Sequence, residues 1–268
     1  MDLGVVAEIL EDDEVIAALL KIKSKGWVLR VNHVDVLPIN EKFKYALCKN
    51  VEEVRDKEPF YENDIDGNGL WDKSLISLVD GDNMFKDCEN LTSFSSDLSS
   101  LKDGYYMFAN CSKLTSFSSD LLSLKDGYHM FADCSELKLF SSNLSSLTRG
   151  NYMFGNCDNL TSFDSDLSKL TDGCAMFNGC TALTSFSSNL SSLTSGDSMF
   201  YGCKLDAPSV KNIAKTISKY NIENGNLWRD FHLGIDTSIV NDDDVINHVA
   251  LIKSKGWKPF VNGEEFNK

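Results

Sequence analysis

Apolar positions recur along the chain with a period of 23 residues. Met-Phe-x-x-Cys begins at Met84, Met107, Met130, Met153, Met176 and Met199. Five complete units run from Met84 to Ser198, and Met107–His129 (MFANCSKLTSFSSDLLSLKDGYH) is one of them. A sixth starts at Met199 and diverges after Cys203. Trp71, Leu75, Leu78 and Gly81 fall in register with Phe94, Leu98, Leu101 and Gly104, so a degenerate unit precedes the first. The apolar columns are those of Leu91, Phe94, Leu98, Leu101, Met107, Phe108 and Cys111. A single short unit cannot bury so many side chains by itself. Stacked units bury them in one continuous core, with each buried Leu or Phe contributing about 1.5–3 kcal/mol.

The pattern inside a unit predicts its elements. Leu91–Ser95 alternates, with Phe94 inward and Ser93 and Ser95 outward, which predicts a short strand; stacked units then form a parallel sheet. Asp97, with Asp120, Asn143, Asp166 and Asn189 in its column, is placed to cap a short helical or 3₁₀ turn over Leu98–Leu101. Gly104 and its equivalents do not vary within the array, which predicts a sharp turn with positive φ.

Met1–Asn32 and Phe231–Asn262 align with each other without gaps and share I-K-S-K-G-W at Ile22–Trp27 and Ile252–Trp257. Each copy predicts strand, helix and Trp-led strand, with Asp13 or Asp243 as helix cap and Gly26 or Gly256 as helix stop. A helix over Ala207–Tyr220 precedes the second copy, with Pro208 in its first turn and Val210, Ile213, Ala214 and Ile217 as its apolar face. Another is predicted over Val51–Lys57, capped by Asn50 and ended by Pro59. Three parts follow: an N-terminal α/β module and connector (1–66), the solenoid (67–205) and a C-terminal α/β capping module (206–268), which covers the open end of the core. The N-terminal copy has no array before it. It is either a remnant of an earlier array or a docking element.

The F-x-x-C-x-x-L-x-x-F pattern at this period resembles the BspA-like leucine-rich repeats, in particular those of gut bacteria and their phages. The resemblance covers about half the chain, Trp71–Cys203. It implies an α/β repeat solenoid with short parallel strands and small α/β modules at both ends. It says little of function, because such arrays serve adhesion, host recognition and virion architecture alike.

Composition narrows the partners. The net charge is −14 and the pI about 4.7. So acidic a surface repels phosphate backbones and anionic lipid, which argues against nucleic-acid and membrane-surface roles. No stretch reaches the length of a membrane span, and Met1–Glu14 lacks the basic start of a secretory signal, so no export signal is expected within the chain.

Candidate chemistry is sparse. Cys88, Cys111, Cys134, Cys157, Cys180 and Cys203 form one column among Met and Phe, which predicts a reduced ladder of small buried side chains. Cys48 and Cys174 lie outside it, and Cys174 occupies a column that predicts exposure. There is no C-x-x-C pair and no His at ligand spacing. Asp64–Asp72 partly fits a calcium loop, but Leu75 stands where the bidentate Glu belongs, so a turn is expected. The column of Asp80, Asp103, Asp126 and Asp172 is broken by Arg149 and Ser195, which predicts turn formation rather than cation binding. His33, His129, His232 and His248 sit beside no nucleophile motif. A non-enzymatic chain without cofactor or metal is expected.

The columns after the invariant glycine vary: Tyr105-Tyr106, Tyr128-His129, Asn151-Tyr152, Cys174-Ala175, Asp197-Ser198. Variation beside a fixed scaffold predicts a solvent-facing stripe, in which Tyr105, Tyr106, Tyr128, His129 and Tyr152 either contact a partner or pack against the next corner. Lys138, Leu139 and Arg149 add a basic and apolar spot. The expected function is interaction or structural assembly, with a virion subunit, a host surface protein or a glycan as partner. Analogy favours a virion-associated tail or attachment protein; the alternatives are a bacterial surface adhesin and a carbohydrate-binding accessory module.

Overall fold

The computed structural model describes residues 78–94, 97–220 and 229–268, together with the backbone of four two-residue strands nearer the N-terminus. Those four are β1 (Asp2–Leu3), β2 (Arg30–Val31), β3 (Val34–Asp35) and β4 (Glu53–Val54). Each unit of the array then supplies one strand: β5 (Ser93–Phe94), β6 (Ser116–Phe117), β7 (Leu139–Phe140), β8 (Ser162–Phe163) and β9 (Ser185–Phe186). The chain ends with β10 (Phe200–Leu205), α1 (Ala207–Thr216), β11 (Asp230–Ile235), α2 (Asp243–Ser254), β12 (Lys258–Val261) and β13 (Glu264–Glu265).

The strands pair in parallel, like residue with like: Phe94 with Phe117, and Phe117 with Phe140. The sheet β4-β5-β6-β7 is separate from β8-β9, so this ladder opens once, beside Lys138 and Leu139. A second ladder runs unbroken through Asp80, Asp103, Asp126, Arg149, Asp172 and Ser195. The Met-Phe corner carries the third. Within it, Met107, Ala109 and Cys111 donate their N–H groups to the carbonyls of Gly104, Tyr106 and Phe108, closing successive tight turns. The alternate N–H groups, of Gly104, Tyr106, Phe108 and Asn110, donate to Asp126, Tyr128, Met130 and Ala132 of the next unit at 2.8–2.9 Å. Turn closure and inter-unit bonding therefore use different amides, and a buried corner leaves none of these donors idle.

Stacking brings identical side chains together. Phe108 lies flat on Phe131 (centroids 5.3 Å, planes 1° apart), and Phe94 on Phe117 (5.5 Å, 8°). The two columns interlock edge to face, as at Phe94–Phe108 (4.7 Å, 70°), a geometry worth about 0.5–1.5 kcal/mol per pair beyond burial. Every column predicted to be apolar is buried. In the cysteine column each thiol donates to the carbonyl of a Phe in the preceding unit, as Cys134 does to Phe108 at 3.2 Å. Burial pushes these thiols up, Cys180 to about 12, so they stay protonated and inert. The expected wholly reduced ladder holds from Cys111 to Cys203, all free. Cys88 departs from it: it is disulfide-bonded. With no full unit before it, Cys88 stands at the end of the column.

The structure corrects the reading of the invariant glycines. None of Gly81, Gly104, Gly127, Gly150, Gly173 and Gly196 has positive φ. They are needed for space: a Cβ on Gly104 would lie 2.7 Å from Met130 Sδ, and one on Gly127 2.8 Å from Met153 Sδ. The left-handed positions come two and six residues later. They are Tyr106 (φ 53°) and Asn110 (φ 62°), with their equivalents. Asp and Asn tolerate this conformation at the second position, where Asn110 also bonds Asp87 at 2.6 Å. The segment Leu98–Leu101 is a single turn, neither α nor 3₁₀. Asp97 accepts from Ser99 N–H at 2.8 Å, and Leu101 N–H closes onto Leu98.

At the C-terminal end β10, β11, β12 and β13 form one sheet in that order. Helix α1 starts after Asp206, which caps it by accepting from Ser209 N–H at 2.9 Å. It ends at Thr216, short of the expected Tyr220, though Val210, Ile213, Ala214 and Ile217 are buried as predicted. Asp242, not Asp243, caps α2, and Gly256 (φ 93°) follows its end. Phe231 meets Phe200 at 6.0 Å and so closes the aromatic stack, with Trp257 behind it at 5.4 Å.

Nearer the N-terminus, Glu53 and Val54, expected within a helix over Val51–Lys57, form β4; the rest of that span lies outside the described residues. Val54 pairs with Phe94, so the first array strand is covered. Strand edges bind strands, and that pairing overrides local helix preference. The expected helix with Asp13 and Gly26, the Asp64–Asp72 loop, His33 and Cys48 lie outside the described residues.

Replacing Gly127 with Val should lower the melting temperature, at a cost of about 1–3 kcal/mol for overpacking. Because the clash is with Met153, Met153→Ala in the same chain should restore part of the loss. Absence of any rescue would instead indicate backbone strain at residue 127.

Candidate functional site

The corner places the variable columns on one edge of the solenoid. The column of Tyr105 and Tyr128 follows the invariant glycine directly, and that of Tyr106, His129 and Tyr152 follows one residue later. Because the units stack in register, these rings stack too. Tyr105 lies on Tyr128 (4.9 Å, 8°), and Arg149 covers that ring at 5.1 Å. Beside this stack run Tyr106, His129 and Tyr152, 4.6 and 4.7 Å apart, with Lys86 over Tyr106 at 5.0 Å. The two stacks meet edge to face, as at Tyr105–Tyr106 (4.6 Å, 70°). Tyr105 is 38% exposed, and the rest of the stripe is half-buried except for the exposed Arg149.

Tyr106, His129 and Tyr152 hold φ values of 53–55°, where a bulky side chain costs about 1–2 kcal/mol. Asn83 occupies the same place in the preceding unit, so a residue that adopts this conformation readily also fits. Burial lowers the His129 pKa below 6.5, against the pull of Asp133, and it raises the Tyr106 and Tyr152 phenols. The stripe is therefore uncharged at neutral pH apart from its flanking cations. Arg149 also pairs with Asp126 at 3.0 Å.

Lys138 and Leu139 belong elsewhere. They lie on the strand ladder, where Leu139 is 67% exposed in a column otherwise filled by serine. The structure thus divides the anticipated basic and apolar spot between two ladders. Among the described residues Leu139 is the most exposed large apolar side chain, and its departure from Ser marked it in the sequence.

The other candidates resolve into structure. Asp80, Asp103, Asp126 and Asp172 each accept the N–H two residues on, at 3.0–3.3 Å. Among the described residues no three His, Cys, Asp or Glu are grouped to hold a metal. Cys174 is half-buried, bonds Ser195 Oγ at 2.9 Å and is pushed up to about 11 by burial. His232 comes to 3.0 Å from Asp197, next to Ser198, a grouping the sequence did not signal. The Ser198 hydroxyl donates to Asp197 rather than to the imidazole, whose Nδ1 accepts from the Ser198 backbone N–H at 3.2 Å. A cleft of about 300 Å³ lies between α2 and the last strands, lined largely by apolar residues such as Val245 and Val249. No described helix is long and apolar enough to cross a membrane.

Comparison with protein families places the repeat. The BspA type leucine-rich repeat region matches in six copies over residues 74–126 and 104–229, more than half the chain. The chain belongs to this family. Its members' repeats serve as protein-interaction surfaces and are generally non-enzymatic. A comparison with curated proteins found no match. Among solved structures, a leucine-rich repeat protein from Bacteroides ovatus is 20% identical, with a TM-score of 0.36 over 67% of this chain. The chain spans 38% of that protein.

His129 should titrate with a midpoint below 6.5. A depressed histidine pKa stabilises the fold above the unfolded value, and this is lost as pH falls through the folded one. Wild type should therefore lose stability relative to His129→Gln below pH 6.5, read by thermal unfolding across that range. A nuclear magnetic resonance midpoint at or above 6.5 would contradict the burial of the ring in the stripe.

Proposed function

We propose that the chain is a protein-interaction module that grips its partner through the stripe of Tyr105, Tyr106, Tyr128, His129, Tyr152 and Arg149. Lys138 and Leu139 form a second contact. The supporting observation is the stacking: two aromatic columns, Tyr105–Tyr128 and Tyr106–His129–Tyr152, stand side by side in columns whose other members are Asp, Asn, Cys, Ala or Ser. The stacking also speaks to the class of partner. A sugar needs a free ring face, and the inner faces of Tyr128, Tyr106 and His129 are already covered by neighbours. The exposed Tyr105 and Arg149 offer a hydroxyl and a guanidinium beside apolar ring surface, which suit the apolar and polar groups of a protein surface.

The setting we favour is a virion, with the module as a tail or host-attachment component. The family's usual place on bacterial surfaces supports the second reading, an adhesin.

The test uses full-length chain and a Tyr105→Ser/Tyr128→Ser variant, bound to purified particles and to washed bacterial cells. Binding should fall at least about tenfold in the variant, as loss of aromatic anchors does, with unfolding temperature nearly unchanged. Particle binding selects the virion reading and cell binding the adhesin. Binding indifferent to the variant, or saturable binding to a glycan array, would overturn the proposal.

A further inference from the structure

The corner ladder needs an acceptor for its last amide. Along the second variable column each N–H donates to a carbonyl of the following unit. Asn83 donates to Tyr105, Tyr106 to Tyr128, His129 to Asn151, Tyr152 to Cys174 and Ala175 to Asp197, at 2.7–3.0 Å. Ser198 is the last member of this column, and no further unit follows it. Its N–H donates instead to Nδ1 of His232, at 3.2 Å. An imidazole nitrogen on β11 thus takes the place of the next unit's carbonyl.

A carbonyl is always an acceptor, but Nδ1 is one only while it carries no proton. Asp197 Oδ1 lies 3.0 Å from the same nitrogen. The two neighbours make opposite demands. The Ser198 N–H needs a lone pair there, and the Asp197 carboxylate needs a proton there. One nitrogen cannot satisfy both. The ring itself is held in place. It lies flat on Phe260 of β12 (4.6 Å, 15°) and meets Tyr201 edge-on at 6.0 Å. A ring stacked in this way accommodates a cation as well as a neutral partner. The other charged groups around it are Asp230, two residues earlier on β11, Lys258, whose ammonium lies over Phe260 at 4.8 Å, and Glu265 of β13. Glu265 pairs with Lys258 at 3.2 Å, so these two offset each other.

We infer that His232 is a pH-driven latch at the seam between the array and its C-terminal cap. With Nδ1 unprotonated, the imidazole continues the backbone ladder by accepting from Ser198. When Nδ1 takes a proton from solvent it donates to Asp197, and the Ser198 N–H loses its acceptor. A backbone clasp is exchanged for an ion pair, and the last turn of the corner is freed while the stack on Phe260 stays closed. Histidine is the side chain suited to such an exchange near neutral pH.

Nuclear magnetic resonance of the isotope-labelled full chain, across the titration of His232, tests the latch. The ring nitrogens report which of them is protonated, and hydrogen exchange reports the protection of the Ser198 amide relative to its intrinsic rate. At the alkaline end the ring should be protonated at Nε2 and the Ser198 amide protected. As His232 takes up its second proton, that protection should fall at least about tenfold, with the midpoint of the ring, while the Ala175 amide keeps its own. His232→Asn places an amide oxygen near the position of Nδ1 and should hold the Ser198 amide protected at every pH. His232→Phe keeps a ring against Phe260 but offers no acceptor, and should leave that amide unprotected throughout. The wild-type titration decides by itself should either variant fail to fold. A neutral ring protonated at Nδ1, Ser198 protection that ignores the titration, or a pH-dependent loss that persists in His232→Asn would overturn the inference.

Discussion

Every second amide of the Met-Phe corner reaches across to the next unit, and the rest of the array follows from that clasp. It fixes like residue above like residue, so whatever stands in one column must tolerate its own copies as neighbours. Phenylalanine meets this condition by lying flat on itself and edge-on to the second column. Cysteine meets it because its thiol has a carbonyl to donate to in the unit before. The invariant glycine meets it by giving up its side chain to the methionine of the following unit. Since the amides between the clasping ones close their own turns, the corner can be buried without stranding polar groups.

The same rule builds the candidate surface. Tyr105 stacks on Tyr128, and Tyr106 on His129, because their backbones are held one above another. Neighbours brace the aromatic edge, which loses little freedom when a partner arrives, a condition that favours affinity. The scaffold is fixed by columns that cannot change, and the stripe and the Lys138–Leu139 spot lie in columns that can.

Much of this was legible in the sequence, because a repeat exposes its own constraints. The strands, the buried columns and the turn-forming Asp103 column followed from the period, whereas the helical turn expected after Asp97 is a single non-helical turn. The period did not distinguish two reasons for an invariant glycine. Gly104 has ordinary φ and serves Met130, a residue 26 positions on, so the cause is invisible locally. The left-handed residues were hidden for the converse reason: Tyr106 and Tyr152 are bulky types rarely found there. Val54 was read as helical since its pairing with Phe94 is a contact between distant segments. Cys88 looked like its column-mates in the sequence, and its disulfide was not signalled by the period. Stacking of the stripe could be anticipated from the period; its strain and filled ring faces could not.

The central claim is that the array is a register-locked stack in which each unit is held by its neighbours. Thermal unfolding of two deletions tests it most directly. Removing residues 154–176 takes out one 23-residue period and joins Met153 to Phe177, preserving every column. That chain should unfold cooperatively, at a somewhat lower temperature than wild type, because one set of neighbour contacts is gone. Removing residues 154–175 shifts every later column by one and should abolish the cooperative transition. Equal behaviour of the two chains, or collapse of the full-period deletion, would contradict the account.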